Sequence, residues 1–169
     1  MLVAPGMSAI LAVLLALVPQ APWDIAKQAA GKATTGKLET EVNKRLLSES
    51  RKNQCSFKTD TDVLDKGCDK KLRNLAGALI DAKKRLNSAK VQNFKFEVSG
   101  HTDTSGSASH NKELSEKRAQ VIVKELVSRG VPQNEIVGVG KGSDEPVVKP
   151  DNTPAKKAKN RRYEIRVRL

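Results

Sequence analysis

The chain reads as an α+β protein: a two-layer sandwich in which two helices pack on a mixed sheet, in the order βαβαβ with one further strand at the end. Three patterns predict it. Residues 94–100 alternate strictly between apolar and polar side chains, and residues 163–169 alternate again, which is the period-2 signature of half-buried strands. Leu72, Leu75, Ala76, Leu79, Ile80 and Leu86 recur at helical spacing over 69–88, with Lys70, Lys71, Lys83 and Lys84 on the wet side. Leu114, Ile122 and Leu126 do the same over 111–129. A folded part of about 115 residues is large enough to bury one core.

In chain order, residues 1–22 carry no charged side chain and contain an apolar run from Ala9 to Val18, followed by Pro19, Gln20, Ala21 and Pro22. That length suits a signal peptide better than a membrane span. No Lys or Arg precedes the run and no clean small-x-small cleavage site follows it, so an uncleaved N-terminal anchor stands beside the signal peptide, with a buried core segment as the third reading. No Cys follows the run, so anchoring through a lipid-modified cysteine is not expected.

Residues 23–50 are rich in Ala, Lys, Glu and Ser, with Leu38, Val42, Leu46 and Leu47 in weak helical rhythm. They are expected to form a helical spacer, about 45 Å long at 1.5 Å per residue. Their stripe could instead pack on the domain or on a partner helix. The domain itself is expected over 51–169. In an exported protein Cys55 and Cys68 would form a disulfide, contributing about 3 kcal/mol by restricting the unfolded chain; two free buried thiols are the alternative. Their spacing is not Cys-x-x-Cys, and with two distant histidines they make no metal-ligand set, so no metal and no cofactor is expected.

Gly100 ends the central strand. A polar loop over 101–110, turning at Gly106, leads to a helix expected to be capped by Ser109 or Asn111 and stopped by Gly130. Leu114, Arg118, Ile122 and Leu126 fall at four-residue spacing, which puts a guanidinium in the apolar stripe. A buried charge needs a partner, and the nearest acidic candidate outside the helix is Asp103 at the strand end. Two readings follow from this pair. It is either a salt bridge fixing loop to helix, or a site for a zwitterion whose ammonium goes to Asp103 and whose carboxylate goes to Arg118, each contact contributing roughly 1.5–3 kcal/mol. Further on, Ile136, Val137 and Val139 form a short strand. Residues 141–160, rich in Lys and punctuated by Pro146, Pro150 and Pro154, read as a surface loop.

Gly100, Thr102, Asp103 and Gly106, then Asn111, Leu114, Ser115, Arg118, Ala119 and Ile122, then Gly130-Val131, Ile136, Gly140, Gly142 and Pro146, and finally Asn160-Arg161-Arg162, Glu164 and Ile165 occur in the order of a known pattern. It resembles the outer membrane protein A-like (OmpA-like) C-terminal domain, the peptidoglycan-binding module shared with peptidoglycan-associated lipoproteins and flagellar stator subunits. The resemblance covers about residues 55–169. It implies that Asp103 takes the amine and Arg118 the carboxylate of the diaminopimelate side chain in the stem peptide of peptidoglycan. Thr102, Asn111 and Leu114 belong to the same set by their place in the motifs.

The resemblance also places a first strand and loop over 57–64, where Asp60 and Thr61 keep the family's hydrogen-bonding pair. Lys58 stands there for an acid and Thr59 for an aromatic that lines the stem-peptide groove in relatives. Asp60 carries over against the plainer reading of a turn or cap residue, and Arg161 against that of a solvated strand residue.

The net charge of +12 raises nucleic acid as a rival partner. There is no aromatic platform, helix-turn-helix pattern or zinc finger, so nucleic acid is not expected. Peptidoglycan, neighbouring anionic polymers and lipid head groups satisfy the same electrostatics. His101 and His110 near Asp103 sketch an acid–base pair, but no nucleophile is placed, and no enzyme is expected. A stator subunit is disfavoured because the apolar run lacks an acidic residue. The reading is non-catalytic binding of peptidoglycan through its stem peptide in the periplasm or cell envelope, with outer-membrane association and a membrane anchor or envelope protein partner left open. The alternative is a basic, polyanion-binding envelope or assembly protein in which Asp103 and Arg118 are only structural.

Overall fold

The structure is a computed structural model that describes residues 22–169. The expected signal peptide or anchor lies outside the described residues, among which no helix is long and apolar enough to cross a membrane. Besides a short 3-10 turn at Gln133–Glu135, seven elements follow in order among the described residues: α1 (Pro22–Lys52), α2 (Asp69–Ser88), β1 (Lys95–His101), α3 (Ala108–Val127), β2 (Ile136–Gly142), α4 (Pro154–Asn160) and β3 (Arg162–Arg168). The packed unit begins at Thr34, well upstream of the boundary expected at residue 51.

The sheet is mixed, in the order β2-β1-β3, with β1 parallel to β2 and antiparallel to β3. One face carries the core. Phe96 and Val98 of β1 and Ile165 and Val167 of β3 meet Leu72, Leu75, Leu79 and Leu86 of α2 and Ala119, Ile122 and Leu126 of α3. The α+β architecture is as expected.

Glycines set how closely α3 approaches. A Cβ on Gly100 would stand 2.2 Å from the Ser115 carbonyl oxygen, and one on Gly140 would stand 2.6 Å from that of Lys112. The helix therefore lies almost backbone to backbone on the sheet, and its buried seam consists of Asn111, Ser115, Ala119, Ile122, Val123 and Leu126. This corrects the predicted stripe. Leu114 and Arg118 lie on the half-buried flank of that seam, because a glycine floor selects the small side chains for the closest approach. The helix is capped not by Ser109 or Asn111 but earlier, by Ser107, whose hydroxyl accepts from the His110 N–H.

The first strand expected at 57–64 does not join the sheet. Its only pairing among the described residues is a bridge between Phe57 and Leu64, closed by Lys58 N–H to the Val63 carbonyl and Asp65 N–H to the Ser56 carbonyl. The outer edge of β3 is occupied by side-chain amides instead. Asn43 of α1 pairs with both the N–H and the C=O of Val167, and Gln54 pairs in the same two-bond manner with Tyr163. Val42 and Leu46 are buried in the same core, so the second half of α1 is part of the domain. The stretch at 141–160, expected as loop, contains α4, which is capped by Thr153 and has Pro at its start.

Cys55 and Cys68 stand as free, buried thiols rather than as the expected bridge, with Cys55 Sγ 4.0 Å from the Cys68 carbonyl oxygen. Burial, reinforced by Cys68, pushes the Cys55 thiol up to about 12, far from a reactive thiolate at neutral pH.

Candidate functional site

Asp103 sits just past the end of β1, where strand gives way to the loop before α3. One carboxylate oxygen accepts from the Ser105 N–H at 2.9 Å, an Asx-turn, and the other accepts from Arg161 Nη1 at 2.7 Å. Its side chain is 11% exposed. Burial opposes ionisation, but the bonds from Arg161 and Ser105 outweigh it and hold the carboxyl below its ordinary value. Asn111 clamps the turn from behind, donating to the Asp103 and Ser105 carbonyls.

Arg118 faces the 57–64 loop. Its Nε donates to the Thr61 carbonyl at 2.8 Å and Nη2 to that of Lys58 at 3.4 Å, and the guanidinium carbon lies 5.1 Å from the centre of the Phe57 ring. Burial and repulsion from Arg161 depress its basicity, while Asp60, Asp103 and Asp62 oppose them. No carboxylate among the described residues forms an ion pair with it; the direct Asp103–Arg118 bridge, one of the two readings of this pair, is not formed, and Asp103 pairs with Arg161. Both arginines stand near one carboxylate, with the Arg118 fork oriented by carbonyls that leave its formal charge unmatched.

The other expected residues are placed as follows. Asp60, at φ 55°, contacts His110 Nε2 at 2.6 Å, joining the loop to the first turn of α3. Thr61 Oγ1 donates to the Lys58 carbonyl and accepts from the Val63 N–H, bracing the loop that holds Arg118. Thr102 is buried; its N–H bonds the Gly142 carbonyl and its hydroxyl has no partner among the described residues. Leu114 is half-buried, one turn before Arg118. His101 does not join Asp103. It lies across from Arg162 on the polar face of the sheet, near Glu164, Glu145 and Lys141, and burial, aided by Arg162, pushes its imidazole down to about 4.

Two residues outside the expected set hold the site. Asn160 is fully buried; its carbonyl oxygen accepts from the Val147 and Val148 N–H groups, and its amide donates to Val148 and to Asp151. Asp151 in turn accepts from the hydroxyl and the N–H of Thr104. Those two bonds, foremost the hydroxyl's, hold its carboxyl at about 2. Asn160 thus fixes the start of β3 so that Arg161 reaches Asp103. Its place before Arg161-Arg162 in the motif was the available sign; Asp151 had none.

The sequence model of the OmpA family matches residues 56–161. The peptidoglycan-binding protein ArfA of Mycobacterium tuberculosis is 44% identical over 68 residues, which is 40% of this chain and 21% of that protein. Outer membrane protein A of Klebsiella aerogenes is 50% identical over 50 residues, covering 30% of this chain and 14% of that protein. The chain therefore matches only a minor part of these relatives' length. Among solved structures, the peptidoglycan-associated lipoprotein of Burkholderia pseudomallei superposes with a TM-score of 0.56 at 23% identity, over 68% of this chain and 89% of that one. The C-terminal domain of Helicobacter pylori MotB gives 0.55 at 24%, over 69% and 84%. These likenesses concern the fold.

Proposed function

The chain belongs to the OmpA family, and from that premise we propose that it binds peptidoglycan without catalysis, through a diaminopimelate-bearing stem peptide, and so tethers itself to the wall within the cell envelope. The observation that carries this reading is Arg118. Its guanidinium is half-buried and oriented by two carbonyls and Phe57, yet has no anionic partner among the described residues. A ligand carboxylate supplies that charge bidentately. Asp103, already ionised and with lone pairs beyond those used by Ser105 and Arg161, takes the ammonium on the same carbon.

The relatives' names support the ligand class, since ArfA is called peptidoglycan-binding and other matches are outer membrane proteins. Acid–base chemistry is disfavoured because His101 and Asp103 make no hydrogen bond and His101 faces elsewhere.

The test is calorimetric titration of the full chain with a diaminopimelate-containing stem peptide. Arg118→Ala is expected to weaken binding by about 1.5–3 kcal/mol, roughly ten- to a hundredfold. Asp103→Asn, which keeps an acceptor for Ser105, is expected to act in the same direction. Replacing diaminopimelate by lysine removes the carboxylate and should erase the difference between wild type and Arg118→Ala. Equal affinity of wild type and Arg118→Ala for the diaminopimelate peptide would refute the assignment.

A further inference from the structure

We propose that residues 149–161 form a second binding surface, which takes a phosphodiester-bearing anionic polymer carried on the same glycan whose stem peptide occupies the Asp103–Arg118 corner; the inference rests on that reading. This stretch holds Lys149, Lys156, Lys157, Lys159 and Arg161 against a single acid, Asp151. Asp151 is buried and committed to Thr104 and Asn160, so it offers the lysines nothing. No ion pair reaches any of the four lysines among the described residues, whereas several basic side chains elsewhere are matched locally. Arg73 pairs with Asp69, Lys117 with Glu113, Arg129 with Glu125, and Arg162 and Arg166 with Glu164. The positive charge of this stretch is therefore not compensated within it.

The surface is held in place and adjoins the site. Asn160 and Asp151 pin the segment from beneath, and Lys156 reaches Asn152 at 3.0 Å. Lys157 Nζ lies 2.8 Å from Ser105 Oγ, two residues beyond Asp103, while Arg161 contacts Asp103 itself. A chain leaving the corner on this side meets a group of lysines, of which Lys157 is placed by Ser105 and Lys156 by Asn152. Ammonium is a point charge suited to tetrahedral phosphate in many orientations, which fits a flexible polymer better than a single carboxylate.

Nucleic acid is disfavoured because residues 141–162 contain no aromatic side chain to stack a base. A lipid surface is disfavoured because α4 offers only Pro154 and two alanines as apolar side chains, too little area to insert. A polymer borne by the glycan arrives tethered to the stem peptide, so even weak contacts add through effective concentration.

The experiment sediments the full chain with peptidoglycan carrying a phosphodiester-linked polymer, before and after cold hydrofluoric acid has cleaved the phosphodiesters. Wild type, the triple variant Lys156→Gln/Lys157→Gln/Lys159→Gln and Arg118→Ala are compared, and melting curves verify that each variant folds. Stripping is expected to weaken wild type roughly tenfold and to leave the triple variant unchanged. Equal wild-type affinity before and after stripping overturns the proposal, as does a triple variant that still responds. Vesicles of half anionic phospholipid form a further arm; lysine-dependent binding to them without any response to stripping assigns the surface to lipid and also overturns it. Failure of the stem-peptide reading shows separately, as Arg118→Ala binding stripped peptidoglycan as well as wild type does.

Discussion

The two segments that flank the candidate site are held in opposite ways. Residues 143–161 are tied down by buried groups: the Asn160 amide makes four hydrogen bonds and Asp151 accepts two from Thr104. Residues 57–64 are tied by a single β-bridge, by the exposed Asp60–His110 contact and by the carbonyls that Arg118 grips. Buried, fully satisfied networks impose one geometry, whereas exposed contacts compete with water. Asp103 and Arg161 are thus set by the firm side, while the fork of Arg118 is oriented by the side that can yield to a ligand.

Breaking the firm side should have the largest effect. Asn160→Ala removes four hydrogen bonds and strands the Val147 and Val148 N–H groups, for a loss of about 3–4 kcal/mol in chemical denaturation. If the cost proves below about 1 kcal/mol, the two segments do not differ as described. Acidification tests the same network more gently. The Asp151 carboxyl is lowered from 3.8 to about 2 on folding, so its contribution is full above the ordinary value and is lost as pH falls toward 2. Wild type should therefore exceed Asp151→Asn in stability at pH 5, with the gap closing by pH 2; a gap that stays constant would show that Asp151 titrates alike folded and unfolded.

The smallest effect is expected on the yielding side. Both members of the Asp60–His110 pair are more than half exposed, and His110→Ala should change stability by no more than about 0.5 kcal/mol. Stem-peptide affinity should nonetheless fall about two- to threefold, because the loop that orients Arg118 loses a tie to α3. Unchanged affinity would mean that the carbonyls of Lys58 and Thr61 hold the fork unaided.

Local pattern was readable wherever one side chain's environment depends on its near neighbours. The alternation at 94–100 became β1, and the apolar positions over 69–88 became the buried face of α2, because period and burial coincide there. The resemblance misled at the 57–64 segment, whose expected strand does not join the sheet, while Asn43 and Gln54 occupy the edge of β3. The spacing of Leu38, Val42 and Leu46 showed a stripe without showing what it packs against.

The site divides along the same line. Asp103, Arg118, Asn111 and Arg161 could be picked out because residue types of this chemistry recur at motif spacing. Which carboxylate pairs with which guanidinium could not, since Arg161 is 58 positions from Asp103 and reaches it only because a buried amide bends the chain there. The amino-acid order by itself determined α2, β1, α3, β2 and β3, the family and the groups available for binding, all properties of short-range periodicity and residue identity. The tertiary structure alone decided the partners of the charges, the docking of α1 on the β3 edge and the placing of Lys157 beside Ser105, because each depends on contacts between segments far apart in the chain.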